Sequence, residues 1–311
     1  MLGSIVDGII LGSIITLGGL GISYVLLIQN YFNFTGGTFF TLGAYIAFAF
    51  LSIIPMGSFP IVSFGPGLIL SLILAMIVLA IIMTVVDKVL YSPLRHRNAP
   101  FMFFYLTAFG MLFVLRSIIY LIWGPQLKNY VSGVRKTYHL AGGINISPDE
   151  IFVVIATVII VAIVYYFQYY TKLGKGMLAT ANNGRLAEIS GIKNKNVHTT
   201  VTIIAGVLTA TAGVFYGLAI QLRPIMGFTL LMAMFFAVVC GGHGAILGTF
   251  GAGLIIGITQ EFGSKILQVI FDSIGVPIEM GGYKQVLAFL LLIIIITTNT
   301  KGIFQGTFLE R

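Results

Sequence analysis

The sequence predicts an all-α fold, a polytopic integral membrane bundle of eight or nine spans with broken or re-entrant helices, and three observations predict it. The 311 residues are 58% hydrophobic and only 8% charged, with a mean hydropathy of +1.04, far outside the range of globular domains. Apolar runs of spanning or near-spanning length recur along the whole chain. The 38 glycines suit helices that approach one another closely in lipid. Residues 1–311 read as a single transmembrane domain.

Taken in order, the apolar segments are 8–29, 38–54, 67–86, 101–123 and 151–170, and, after a polar interval, 201–220, 228–240, 245–262 and 283–298. A helix needs roughly 20 residues to cross the hydrocarbon. Residues 228–240 fall short of that and read as half of a broken helix. The first basic residue is Lys88, so the apolar N-terminus lacks the charged leader of a cleaved signal peptide and is expected to stay in the membrane.

The loops carry the orientation. The basic residues of loop 87–100, of interval 171–200 and of tail 301–311 number ten, against five in the two opposite loops through Lys284. The positive-inside rule then puts the first three on the cytoplasmic face. Span parity agrees, and carried backwards it places the N-terminus outside.

The interval 171–200, TKLGKGMLATANNGRLAEISGIKNKNVHTT, is the most polar stretch of the chain, with Lys172, Lys175, Arg185, Lys193 and Lys195 against the single acid Glu188. It reads as a short helix from Lys175 to Ala181, a break at Asn182, Asn183 and Gly184, and a second short helix to Ser190 ended by Gly191, because Asn and Gly favour turns and C-caps. Two such helices lying along the membrane make a rigid knob for a cytoplasmic partner. A solvated basic loop on anionic lipid is the plainer alternative.

Two glycine clusters share a spacing. Gly36 and Gly37 precede Gly43, and Gly241 and Gly242 precede Gly248, each reading GG, five residues, G. This suggests two related halves, each with a helix interrupted at membrane depth to bring backbone groups to a pathway; plain small-residue packing explains the same glycines. An inverted repeat needs the two segments to run in opposite directions, whereas parity gives them the same one, and both statements cannot hold.

Arg116 lies inside a span, where a charge is costly and points to a pathway or a partner; snorkelling or pairing with an acid is the structural alternative. Arg223 precedes Pro224 and a short helix, where it could line an outer mouth or anchor the interface. Gln260 and Glu261 end a span near Lys265 and read as a helix-end ion pair. His243, between glycines, is a candidate proton relay or a packing residue.

Several classes are excluded. Cys240 is the single cysteine, so neither an intrachain disulfide nor a cysteine metal cluster can form, and no HExxH or similar spacing offers a metal site. No GxxxxGK[ST] loop offers an ATP site in that manner, and no GxSxG elbow supports hydrolysis. The net charge of +8 is scattered through short loops without a nucleic-acid-binding motif. Few acids lie inside the spans, against a pump driven by a carboxylate relay.

The order of motifs resembles the membrane permease subunit of branched-chain amino acid ABC importers over nearly the whole chain. The opening helix and Asn33, Phe34, Gly36, Leu42, Gly43, Ala44 and Tyr45 are similar to the family's "NFAHGE…LGAY" element, and VLYSPLRHR to its "YRPLR" loop. LGKGMLATANNGRLAEISGI, at Gly174, Ala179, Ala181, Ala187, Gly191 and Ile192, resembles the loop that docks on the ATPase; RPIMGF, VVCGGHGAILGTFGAGLIIG and a last helix closing on KGIF complete the order. The chain departs from the pattern at Asn183, where the family usually has an acid, at Thr35 and Thr38, and at Arg116, Arg223 and His243.

The resemblance implies an inner-membrane permease that lacks an ATPase motif and pairs with two ATP-binding subunits, a second identical or homologous permease and an extracytoplasmic solute-binding protein, in a lipid bilayer and without nucleic acid. ATP and Mg²⁺ would be held by the partners, and this chain would hold no cofactor. Coupling would fall on Gly174, Lys175, Ala181, Asn182, Asn183, Arg185, Ala187, Glu188 and Gly191. The pathway would fall on Asn33, Gly36, Gly37, Thr38, Arg116, Arg223, Gly241, Gly242 and His243, the two arginines suiting a carboxylate-bearing solute. A self-contained channel or secondary transporter is the competing reading of the function, and a membrane enzyme a third.

Overall fold

A computed structural model describes residues 2–29, 31–55, 57, 62–131, 137–140, 144–242, 244–273 and 280–298. Each expected apolar segment is a helix: α1 (Leu2–Gln29), α2 (Gly36–Leu51), α3 (Pro66–Val86), then, past a short α4 (Ser92–His96), α5 (Phe101–Trp123) and α6 (Pro148–Tyr170). The polar interval forms α7 (Lys172–Asn182) and α8 (Gly184–Ile189), and the second half brings α9 (Asn194–Ala219), α10 (Met226–Gly241), α11 (Ile246–Ile258), α12 (Ser264–Ser273) and α13 (Lys284–Thr298). Five-residue π-helical turns, Asp87–Tyr91 and Thr259–Gly263, join α3 to α4 and α11 to α12. One small hairpin, β1 (Tyr138–Leu140) with β2 (Ile144–Ile146), pairs antiparallel in the loop before α6.

Hydrophobicity alone does not decide which helices are central, because lipid is as apolar as leucine; small residues do. α1 carries Gly8, Gly12, Gly18, Gly19 and Gly21, and α9 is rich in Ala, Gly and Thr. Both are buried along most of their length, whereas α3, α5 and α6 keep large apolar side chains exposed toward lipid. Gly8 and Gly12 lie against Gly253 and Gly257 of α11, so close that a Cβ on Gly8 would stand 2.6 Å from the Ile258 Cα and one on Gly12 2.8 Å from the Leu254 Cα. Residue numbers rise on α1 as they fall on α11, which makes the pair antiparallel.

The contacts repeat in the two halves. α1 packs on α9 and α11, and α9 on α1 and α3; α2 packs on α3 and α5, and α10 on α11 and α13. The set α1, α2, α3, α5 thus corresponds to α9, α10, α11, α13, with a π-turn after the third helix of each. This corrects the expected pairing of Gly36–Gly37 with Gly241–Gly242. The counterpart of Gly36–Gly37 at the start of α2 is Met226–Gly227 at the start of the equally long α10, and these two helices run in opposite directions by parity. Gly241 and Gly242 instead form the tight α10–α11 turn, with Gly242 at φ +92°. The halves are inverted, and the apparent conflict between repeat and parity came from matching the wrong glycines.

The two short helices meet at their starts. A Cβ on Gly227 would overlap the Gly37 carbonyl oxygen, and one on Gly37 the Gly227 carbonyl oxygen. The Gly227 N–H donates to Thr41 Oγ1 at 3.0 Å, and that hydroxyl donates to the Gly37 carbonyl at 3.2 Å. Gly36 rests on Ile22, two turns before the end of α1, so α2 begins inside the bundle rather than at its edge.

Gly227→Ala is expected to destabilise the detergent-solubilised protein by about 1–3 kcal/mol or more, the usual cost of overpacking, while Gly110→Ala, inside α5 and with nothing within 4 Å of its Cβ, does not lower the melting temperature and raises it slightly through the better helix propensity of alanine. Thermal unfolding of the two variants side by side reads the difference.

Candidate coupling surface and translocation pathway

The knob is built by local capping. The Thr171 hydroxyl accepts from the Gly174 N–H at 3.0 Å and starts α7; Asn183, extended between the helices, accepts from the Leu186 N–H at 3.1 Å and starts α8. Gly191 at φ +88° stops α8, with the Ile192 N–H reaching the Ala187 carbonyl at 3.0 Å, and this 6→1 bond is the Schellman closure. Asn194 at the start of α9 donates to the Gly184 carbonyl at 3.0 Å. The expected break thus narrows to Asn183 alone, with Asn182 and Gly184 inside the flanking helices.

Burial divides the proposed coupling residues. Gly174 and Ala187 face inward with Met177, and Gly174 lies too close to the Phe167 and Gln168 backbone to carry a side chain. They seat the knob. Lys175, Asn182, Asn183, Arg185, Glu188 and Gly191 are exposed, and Ala181 is half-buried. Two residues the sequence reading passed over stand beside them: Leu186 is 61% exposed and Ile189 84%. They follow one another at i, i+3 on α8 around the buried Ala187, a spacing that was present in RLAEISGI.

The pathway residues fall into three groups. At the start of α2, Asn33 is buried, and its Oδ1 accepts from the Thr35 N–H at 3.0 Å, from the Thr35 hydroxyl and from the Tyr91 hydroxyl at 3.4 Å. It shapes the turn into the helix; Gly36, Gly37 and Thr38 follow, all buried. At the start of α10, Arg116 of α5 lies over the Phe228 ring at 5.7 Å and the Tyr120 ring at 5.6 Å, and among the described residues it has no carboxylate partner. Its companion is a pair of aromatic faces, and not the acid that was one expected alternative. Arg223 is exposed, with its guanidinium against the side-chain amide of Gln221. Two guanidinium groups from different elements therefore flank the N-terminus of α10, where the helix macrodipole adds to the positive field.

The third group, Gly241 and Gly242, lies at the other end of α10, where the Gly244 N–H donates to Ser23 Oγ at 3.1 Å and Gln168 Nε2 donates to the Gly244 carbonyl at 3.1 Å. His243 lies outside the described residues. The sequence put Gly36 and Gly241 in equivalent places; the fold puts them at different levels.

The family model described as the permease component of the branched-chain amino acid transport system matches residues 4–296. This chain belongs to that family. The permease is 27% identical over 321 residues to the high-affinity branched-chain amino acid transport system permease protein BraD of Pseudomonas aeruginosa, covering 99% of this chain and 96% of that protein. It is 26% identical over 318 residues to LivH of Escherichia coli K12, covering 98% and 96%. Among solved structures, PsaBC from Streptococcus pneumoniae in complex with Fab aligns over 98% of this chain and 93% of that one at 13% identity, with a TM-score of 0.48. The permease is a multi-pass membrane protein and a component of a transport system rather than an enzyme.

Asn183→Ala is expected to weaken the permease's second short helix by about 1 kcal/mol, the usual worth of an N-cap. Faster hydrogen exchange confined to the amides of α8 reads the loss.

Proposed function

We propose that the permease is the membrane subunit of an ABC importer that carries a small polar solute, a branched-chain or other amino acid or an amide-like compound, across the cytoplasmic membrane. Two separate ATP-binding subunits, which hold ATP and Mg²⁺, drive it; a second permease, identical or homologous, completes the pathway, and an extracytoplasmic solute-binding protein delivers the solute. The observation that carries this reading is the knob of α7 and α8. It is capped at both ends, seated by Gly174, Met177 and Ala187, and it shows Leu186, Ile189 and Arg185 outward on the face with the excess of basic loops. Exposed apolar residues rimmed by charge mark a protein contact. Force from the ATPase can enter only through contacts that differ between two states, and a rigid knob transmits such a difference.

The arginines narrow the solute. Arg116 and Arg223 beside the start of α10 favour a group with negative charge, which supports a carboxylate on the solute. The competing self-contained channel or secondary carrier would move solute without ATPase partners.

Reconstitution with the ATPase subunits and binding protein tests both parts. Arg185→Glu combined with Glu188→Lys is expected to leave ATP hydrolysis running while uptake falls to background, with an unchanged melting temperature; coupled uptake at the normal rate, or uptake by the permease alone, removes the reading. Replacing Arg116 and Arg223 together by Gln is expected to lower uptake of a carboxylate-bearing solute at least about tenfold, a loss of ~1.4 kcal/mol; equal uptake removes the carboxylate inference.

A further inference from the structure

Two ion pairs are present among the described residues, and each is made by an acid of one of the two π-turns that the inverted repeat relates. Asp87 opens the first π-turn and takes a bidentate pair from Arg95 of α4, at 2.9 and 2.7 Å, with Gln29 Nε2 donating to the same carboxylate at 3.1 Å. Glu261 sits in the second π-turn and is held by Lys284 at the start of α13, at 2.7 and 2.6 Å. The sequence suggested Lys265 as the partner of Glu261; the partner stands 23 positions along the chain. π-turns break the regular ladder of a helix and recur at functional positions.

The pairs lie at opposite ends of α1. Gln29 at its C-terminal end touches Asp87, while Asp7 near its N-terminal end shares a polar cleft of about 340 Å³ with Glu261 and Lys284. At 1.5 Å per residue these points are roughly 33 Å apart, about the thickness of the hydrocarbon core. One pair therefore belongs to the cytoplasmic face and the other to the outer face.

Each pair also reaches the start of one short helix. Tyr91, the last residue of the first π-turn, puts its hydroxyl 3.4 Å from Asn33 Oδ1 and 3.5 Å from Thr35 Oγ1, immediately before α2. Gln285, next to Lys284, donates to the Thr229 carbonyl in the first turn of α10 at 2.6 Å. The two helix starts so held are the ones that cross at Gly37 and Gly227.

We propose that Asp87–Arg95 and Glu261–Lys284 are the two reciprocal latches of the permease's transport cycle. Asp87, Arg95, Glu261 and Lys284 are positioning residues: the first pair holds the start of α2 through Tyr91 and closes the cytoplasmic side, and the second holds the start of α10 through Gln285 and closes the outer side. The crossing lets one helix tilt while the other stays held. The proposal rests on the assignment of this chain as a transport permease and adds which contacts decide its sidedness.

The test uses the full chain in membrane vesicles, with Cys240→Ser to remove the native thiol and Thr38→Cys as a reporter beside the crossing. A membrane-impermeant maleimide is applied from each side. Asp87→Asn is expected to speed labelling from the cytoplasmic side severalfold with no gain from outside, Glu261→Gln to do the reverse, and the charge-exchanged Asp87→Arg with Arg95→Asp to restore the original bias. If Asp87→Asn is not recovered folded, Arg95→Gln breaks the same pair from its more exposed side. Both variants favouring the same side, or neither changing the rates, overturns the latches. The labelling needs no transport, so an unchanged bias alongside lost import would reject this inference and leave the permease assignment standing.

Discussion

The closest backbone approach that the glycines make among the described residues is the crossing of two helix starts at Gly37 and Gly227, where neither backbone leaves room for a Cβ on the other. A helix that begins at membrane depth exposes N–H groups that no water can satisfy, and each such group left open in lipid costs several kcal/mol. Thr41 meets this need by accepting from the Gly227 N–H while its own hydroxyl turns to the Gly37 carbonyl. The surrounding architecture follows: α1 and α9 must be small-faced to let α2 and α10 reach the centre, and the bulky α3, α5 and α6 are left to face lipid.

The helices were readable from the sequence because length and turn residues define them without tertiary help. Gly65–Pro66, Pro100, Gly124 and Ser147–Pro148 bound the spans where the structure bounds them, and Ser147 closes a capping box with Glu150 that the motif SPDE already spelled out. The repeat was legible only in outline. A shared GG-x5-G spacing drew attention to Gly241, but what matters physically is a bare backbone at the first turn of a short helix, and Gly227 in RPIMGF supplies it without any second glycine beside it. The π-turns left no signal, since one extra residue in a helical ladder changes neither hydropathy nor composition.

The candidate site was less legible than the fold for a related reason. In the knob, capping residues advertise themselves, so Thr171, Asn183 and Gly191 were within reach of sequence reasoning, whereas the outward placing of Leu186 and Ile189 follows from Ala187 taking the inward position, which burial shows. Arg116 reads from the sequence as a pathway charge, a snorkelling side chain or the partner of an acid, and its aromatic neighbours Tyr120 and Phe228 could be paired with it only in space. The partner of Glu261 lies across residues 264–283 and was likewise a tertiary fact. Motif strings located the family and the knob; the distances supplied the link from π-turn to helix start on which the mechanism turns.

All of this requires the two π-turns to lie on opposite faces of the membrane, and sided labelling of two exposed positions measures that most directly. With Cys240→Ser as background, Lys88→Cys marks the first π-turn and Lys265→Cys the residue shortly after the second. Right-side-out vesicles treated with an impermeant maleimide are expected to label Lys265→Cys and to spare Lys88→Cys until the membrane is opened. Labelling of both positions from the same side would contradict the inverted arrangement and the crossing mechanism with it.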